Sequence, residues 1–286
     1  MAGEWQRLPE DKCNGSDPLV ASCTSKLGFA RMWPRPVCGA HEYGTQDLRQ
    51  LLKDKHVAIV GDSHGRHLFT WLVRMLDGSF DANIDRPLKF WQSARWDGQS
   101  DSGIYVKEHG SGDLHVALQW LTTLPPIAQH VRKMREKGGF PDVVVLSAGE
   151  WYHQEKRSVQ QLHADVEDLS AAVIEADAAA QEAGKQVLWL LLTIPDRVPG
   201  RSYSSTYLTP PELVPRYNAA LRAASMLHPR GPALLLDLQA LAEGCLLWCS
   251  YDGIHANAAV YAATVQLVSN LLALPPAPPM SQPSER

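Results

Sequence analysis

Two short segments hold residue types that could together perform acyl transfer. Gly61-Asp62-Ser63 follows the apolar run His56-Val57-Ala58-Ile59-Val60 and precedes a stretch, Leu68 to Leu76, whose apolar residues recur at helical spacing. A serine at such a strand-to-helix turn is presented at a helix N-terminus, where unbonded N–H groups and the helix dipole favour a developing anion. The same position also suits an ordinary helix cap. Far downstream, Tyr251-Asp252-Gly253-Ile254-His255-Ala256-Asn257 precedes the last helical pattern and sets a carboxylate and an imidazole three residues apart. A serine hydroxyl is a poor nucleophile until a histidine accepts its proton, and that histidine works best when a carboxylate fixes its tautomer. Ser63 is therefore the candidate nucleophile, His255 the base and Asp252 its orienting acid. Alternatively, Asp252 caps the final helix and His255 packs against its first turn.

These segments need a scaffold that brings strand ends together. Apolar runs at 56–60, 114–118, 143–146, 187–192 and 233–236 read as buried strands. Helical patterns cover 47–53, 68–76, 158–183, 211–227 and 256–272. This alternation predicts an α/β fold, a three-layer α/β/α sandwich around a central parallel sheet. Reactive groups in such sheets gather at the carboxyl ends of the strands, where Gly61-Asp62-Ser63 and Ser147-Ala148-Gly149-Glu150 both fall. Residues 1–46, rich in Gly, Pro, Cys and Trp, read as an irregular arm, 47–273 as the catalytic domain, and 274–286 as a disordered Pro- and Ser-rich tail.

Composition limits the alternatives. The 286 residues, 45% hydrophobic and 20% charged, suffice for one substantial core. The net charge of -4 comes from interspersed residues, which gives no reason to expect a nucleic-acid partner. No apolar run approaches a membrane span, and 1–17 lacks the apolar segment of a signal peptide. Cys13, Cys23, Cys38, Cys245 and Cys249 do not have zinc-ribbon or redox spacing; their odd number would leave one thiol over in an oxidising compartment. Asn14-Gly15-Ser16 is a short glycosylation pattern that would suit secretion.

The Gly61-Asp62-Ser63 block with Arg66, followed by Asp252-x-x-His255, resembles the SGNH/GDSL superfamily and within it the PC-esterase branch. The chain is similar there to the trichome-birefringence-like polysaccharide O-acetyltransferases. Trp33, Cys38, Gly149, Trp151, Cys245, Cys249 and the Tyr217-Asn218 pair carry further resemblance, over about residues 33–272. The resemblance implies a covalent acyl-serine intermediate, no cofactor and no metal, an acyl donor and a carbohydrate acceptor as partners, and a Golgi or extracellular location. Without a leader or anchor in view, a cytosolic location stays open. The chain departs from the family at Ser147, where relatives usually carry Asn, and at Glu150, where they often carry His. With the oxyanion-hole Asn missing, the expected oxyanion or substrate group comprises the Ser63 N–H, Gly149, Arg66, Asp62 and Trp151.

Two other readings compete. Gly61-Asp62-Ser63-His64-Gly65-Arg66 also resembles the first block of metallophosphoesterases, but the further ligand blocks of a two-metal centre are not found. A non-catalytic carbohydrate-binding relative would keep the cleft and use some of the nine tryptophans for stacking, with Trp91, Trp96, Trp151 and Trp248 the ones to test. His64 and His67 are expected to be surface residues flanking the nucleophile. His109, His115, His130 and His163 are scattered without ligand spacing.

Overall fold

The computed structural model describes residues 5–7, 29–31, 41–78, 114–197, 210–243, 250 and 253–274. Five strands form one parallel sheet: β3 (His56–Gly61), β4 (His115–Trp120), β5 (Val143–Ser147), β6 (Leu188–Leu192) and β7 (Leu234–Leu236), in the order β4-β3-β5-β6-β7. In the arm, β1 (Trp5–Arg7) and β2 (Phe29–Arg31) pair antiparallel, a ribbon that the irregular composition there did not predict.

Each strand of the sheet buries alternate residues on opposite faces, because successive side chains point opposite ways. Val57, Ile59, Val143, Val145, Leu190 and Leu192 face one core, which is covered by α1 (Thr45–Leu51), α2 (Ser63–Asp77), α6 (Leu238–Ala242) and α7 (Ala258–Ala273). Ala58, Val60, Val144, Leu146, Trp189 and Leu191 face the other, covered by α3 (Leu124–Lys137), α4 (Val159–Glu182) and α5 (Val214–Arg222). The result is the expected three-layer α/β/α sandwich. Its one unpredicted long helix, α3, carries proline in its first turn, where the missing N–H would have had no helical partner anyway.

Strand register aligns the ends that matter. Trp120, Gly61, Ser147, Leu192 and Leu236 are successive neighbours across the sheet at its carboxyl edge. The helix α7 is tied down by the segment ahead of α1. The Gln266 amide exchanges two hydrogen bonds of 2.8 Å with the Tyr43 backbone. One turn later, Asn270 does the same with His41, at 2.7 and 2.8 Å.

Candidate active site

The turn that carries Ser63 is built by three residues that spend their polar groups on it. Any side chain at Gly61 would place a Cβ 2.0 Å from the Ser147 carbonyl oxygen, so glycine alone fits between the two strands. Asp62, fully buried, is the N-cap of α2, and its Oδ1 accepts from the His64 N–H at 3.1 Å and from the Ser147 hydroxyl at 2.8 Å. Ser147 Oγ in turn accepts from the Gly65 N–H at 3.2 Å, and the Asp62 carbonyl accepts from the Arg66 N–H at 3.0 Å. Ser63 is thus the first helical residue rather than the cap. Its own N–H is left without a hydrogen-bond partner among the described residues, whereas those of His64, Gly65 and Arg66 are taken.

Ser147 therefore does not replace the oxyanion asparagine expected from the family; its hydroxyl braces the turn. Asp62, expected in the substrate-facing group, is sealed beneath that turn.

His255 reaches the same place from the far end of the chain. The Gly253 N–H donates to Ser250 Oγ at 2.9 Å, Ser250 and Ala256 form an antiparallel bridge, and Asn257 caps α7 through the Val260 N–H. This tight loop sets the His255 ring 5.2 Å from that of His64 and 4.6 Å from that of His67. Asp252 lies outside the described residues, as do Trp91, Trp96, Trp248 and the five cysteines.

His64 and His67 are not surface residues. They are 1% and 2% exposed. His64 Nδ1 lies 3.0 Å from the Tyr261 hydroxyl, and the His67 ring stacks on that of Tyr261 at 5.5 Å. Burial, then the neighbouring His255, Arg66 and His64, push the His67 imidazole well below the ordinary histidine range. It is neutral at physiological pH.

A buried ion pair closes the floor. Glu150 and Arg197, with side chains 6% and 4% exposed, pair directly, and His64 Nε2 stands 3.8 Å from the second Glu150 oxygen. Burial raises the Glu150 carboxyl, but the adjacent His64 and Arg197 outweigh it and hold the group below the usual glutamate value. Glu150 is ionised.

On the other flank, the Arg66 guanidinium lies over Trp120 at 4.9 Å, and Trp120 meets Trp151 edge to face at 6.2 Å. The Trp151 indole nitrogen is buried without a hydrogen-bond partner among the described residues. Gly149, with φ of +131°, has no room for a side chain against Ile194, whose backbone is clamped by Asn218 through bonds of 2.9 and 2.7 Å. Residue type and spacing single out Ser63 and His255, and the family resemblance adds Gly149, Arg66 and Trp151. Tyr261, Trp120 and Arg197 were missed; only Trp120, ending an apolar run level with Gly61, left a trace in the sequence.

Among the described residues, no three His, Cys, Asp or Glu side chains converge to hold a metal ion, and no helix is long and apolar enough to cross a membrane. A parallel five-stranded sheet between helical layers, with a serine turn after its first strand and a histidine loop before its last helix, defines an SGNH hydrolase-like α/β protein. More narrowly, residues 33–181 match the model of the NXPE family member 4-like C-terminal domain, and the chain belongs to that family. It is also 27% identical over 240 residues to Protein ALTERED XYLOGLUCAN 9 of Arabidopsis thaliana, covering 79% of this chain and 62% of that protein's length. Among solved structures it resembles the C-terminal catalytic domain of peptidoglycan O-acetyltransferase A from Streptococcus pneumoniae, at 14% identity and a TM-score of 0.43 over 77% of this chain and 95% of that one. Est24, a carbohydrate acetylesterase from Sinorhizobium meliloti, is similar at 12% identity and a TM-score of 0.43 over 77% and 99% of the two chains.

Proposed function

We propose that the chain is a serine-dependent acyltransferase or esterase that moves an acetyl group on or off a carbohydrate hydroxyl, with Ser63 as nucleophile, His255 as base and Asp252 as the acid that orients it. The observation that carries this reading is the state of the first turn of α2. Its other N–H groups are used internally, while the Ser63 N–H beside the hydroxyl is left without a partner among the described residues, as an oxyanion donor must be. The convergence of His255 on the two histidines that flank Ser63 supports the same assignment.

The steps follow from these groups. His255 takes the Ser63 proton as Oγ attacks the donor carbonyl, and the Ser63 N–H, with Gly149 N–H and Arg66 as further candidates, holds the tetrahedral oxyanion. The donor's leaving oxygen receives the proton from His255, which leaves acyl-Ser63. A sugar hydroxyl or a water then gives its proton to His255, attacks the ester carbonyl and releases the serine, which is reprotonated. The resemblance to a protein named for altered xyloglucan supports a polysaccharide as the sugar component, and the likeness of the sequence motifs to the polysaccharide O-acetyltransferases favours transfer over hydrolysis.

The test is p-nitrophenyl acetate turnover by the wild-type chain and by Ser63→Ala, with and without EDTA, followed by intact mass. EDTA-resistant turnover with a transient acetyl adduct, both absent in Ser63→Ala, is the expected result. Full turnover by Ser63→Ala would overturn the assignment, and metal-dependent phosphate-ester cleavage would revive the phosphoesterase reading. Folded protein without turnover or adduct would instead favour the carbohydrate-binding reading.

A further inference from the structure

The reading above accounts for His255 but not for the buried imidazole beside it. We propose that His67 is the positioning residue of His255: a histidine built into the core to face the base and hold its ring over the start of the nucleophile's helix. The inference rests on His255 being the base.

His67 follows Ser63 by one helical turn and so lies on the same side of α2. It is clamped in series. One side stacks on Tyr261 of α7, with rings 5.5 Å apart and inclined by 16°. His255 approaches at 4.6 Å, inclined by 45°. Tyr261 is fixed in turn by its hydroxyl, 3.0 Å from His64 Nδ1, and is itself fully buried. His255, by contrast, is partly exposed and stands on a short loop. A loop-borne base needs a wall to hold its ring, since misplacement by about 1 Å can cost roughly a hundredfold in rate. The His67–Tyr261 pair is that wall, and it is anchored to the two helices that carry or follow the reactive residues.

The choice of histidine for the wall requires that it stay uncharged. Its titratable and charged neighbours are His64 and Arg66 on its own helix, His255 on the loop and Tyr261 on α7. A proton on His67 would meet the imidazolium that forms on His255 during catalysis and raise its energy. Burial first, then His255, Arg66 and His64 beside it, disfavour that proton, so the wall is polar enough to sit among imidazoles but does not oppose the charge on the base.

His67→Ala and His67→Phe, made in the full chain, test this. The phenylalanine keeps a ring against Tyr261 and His255 but cannot titrate. For His67→Ala the expected result is a fall in kcat of about 10–100-fold with KM within about twofold, and His255 imidazole NMR signals that shift and broaden. For His67→Phe, kcat stays within about threefold of wild type, and the acid limb of the rate profile keeps its position and one-proton slope. Folded His67→Ala with unchanged His255 signals and unchanged kcat overturns the proposal. A His67→Phe acid limb that loses a proton relative to wild type overturns the neutral-wall argument. The His255 signals report positioning without reference to turnover. Full activity in Ser63→Ala would therefore defeat the enzymatic assignment while these signals still decide whether His67 holds His255.

Discussion

Replacing Glu150 with glutamine should cost more stability than its single lost charge suggests. The change keeps the shape of the side chain but leaves Arg197 as a buried cation, in a place where both partners are nearly inaccessible to water and His64 stands 3.8 Å away. Removing one member of a buried pair costs about 3–5 kcal/mol, mostly the penalty of the abandoned charge. Because glutamine retains one oxygen for the guanidinium, the lower end, about 3 kcal/mol, is expected. At roughly 2–4 °C per kcal/mol for a large domain, the melting temperature should drop by about 6–12 °C. The pH dependence supplies a second signature. The folded-state value of Glu150 is held below the usual glutamate value by His64 and Arg197, so its contribution is fully present above that usual value and is lost as pH falls through the folded value. Wild type should therefore lose stability on acidification below about pH 5 more steeply than Glu150→Gln. Urea unfolding of both proteins from pH 7 to pH 3 measures both effects. Replacing both partners by Glu150→Leu with Arg197→Met should recover much of the loss. Equal stability at pH 7 with parallel acid slopes would refute the claim that this pair holds the floor of the site together.

Two further predictions concern the strand ends. Gly61→Ala forces a Cβ to 2.0 Å from a backbone oxygen that cannot rotate away, so a loss of at least about 1–3 kcal/mol is expected, together with displacement of Ser63; thermal melts and turnover of the soluble fraction check it. Asn218→Ala orphans the buried Ile194 N–H and carbonyl, which should cost about 2–4 kcal/mol by urea unfolding and loosen Gly149, seen as amide exchange faster than in wild type.

The layers and the two reactive segments were legible because their signals are local. Val57 to Val60 and Val143 to Leu146 are unbroken apolar runs of strand length, and Gly61-Asp62-Ser63 follows the first directly. The helix α3 was hidden because Pro125 and Pro126 punctuate a sequence, while in the fold they fall in the first turn, where no bond is lost. The arm's ribbon was hidden because three-residue strands carry almost no periodicity. Within the site, Ser63 and His255 could be named from residue type and spacing. His64 and His67 were misplaced on the surface, since burial of a histidine depends on what packs over it, here Tyr261 from a helix 197 positions away from His64. The Glu150–Arg197 pair joins the ends of two different strands and has no spacing in sequence at all. The bracing role of Ser147 likewise required the register that sets it beside Gly61.

The helix α7 covers the same face of the sheet as α2 and is laced to the segment around Tyr43 by two side-chain amides. During synthesis, the five strands of the sheet and helices α1 to α6 emerge before it. Until α7 docks, Ile59, Val145 and the apolar side of α2 have no cover on that flank. The nascent chain must carry an open hydrophobic sheet face until α7 has been made, so folding here has high contact order and a window in which aggregation competes. Chaperone dependence and low recovery on refolding, rather than low final stability, are the expected burden of covering this face with a helix that follows the whole sheet in sequence, just after the loop that carries His255.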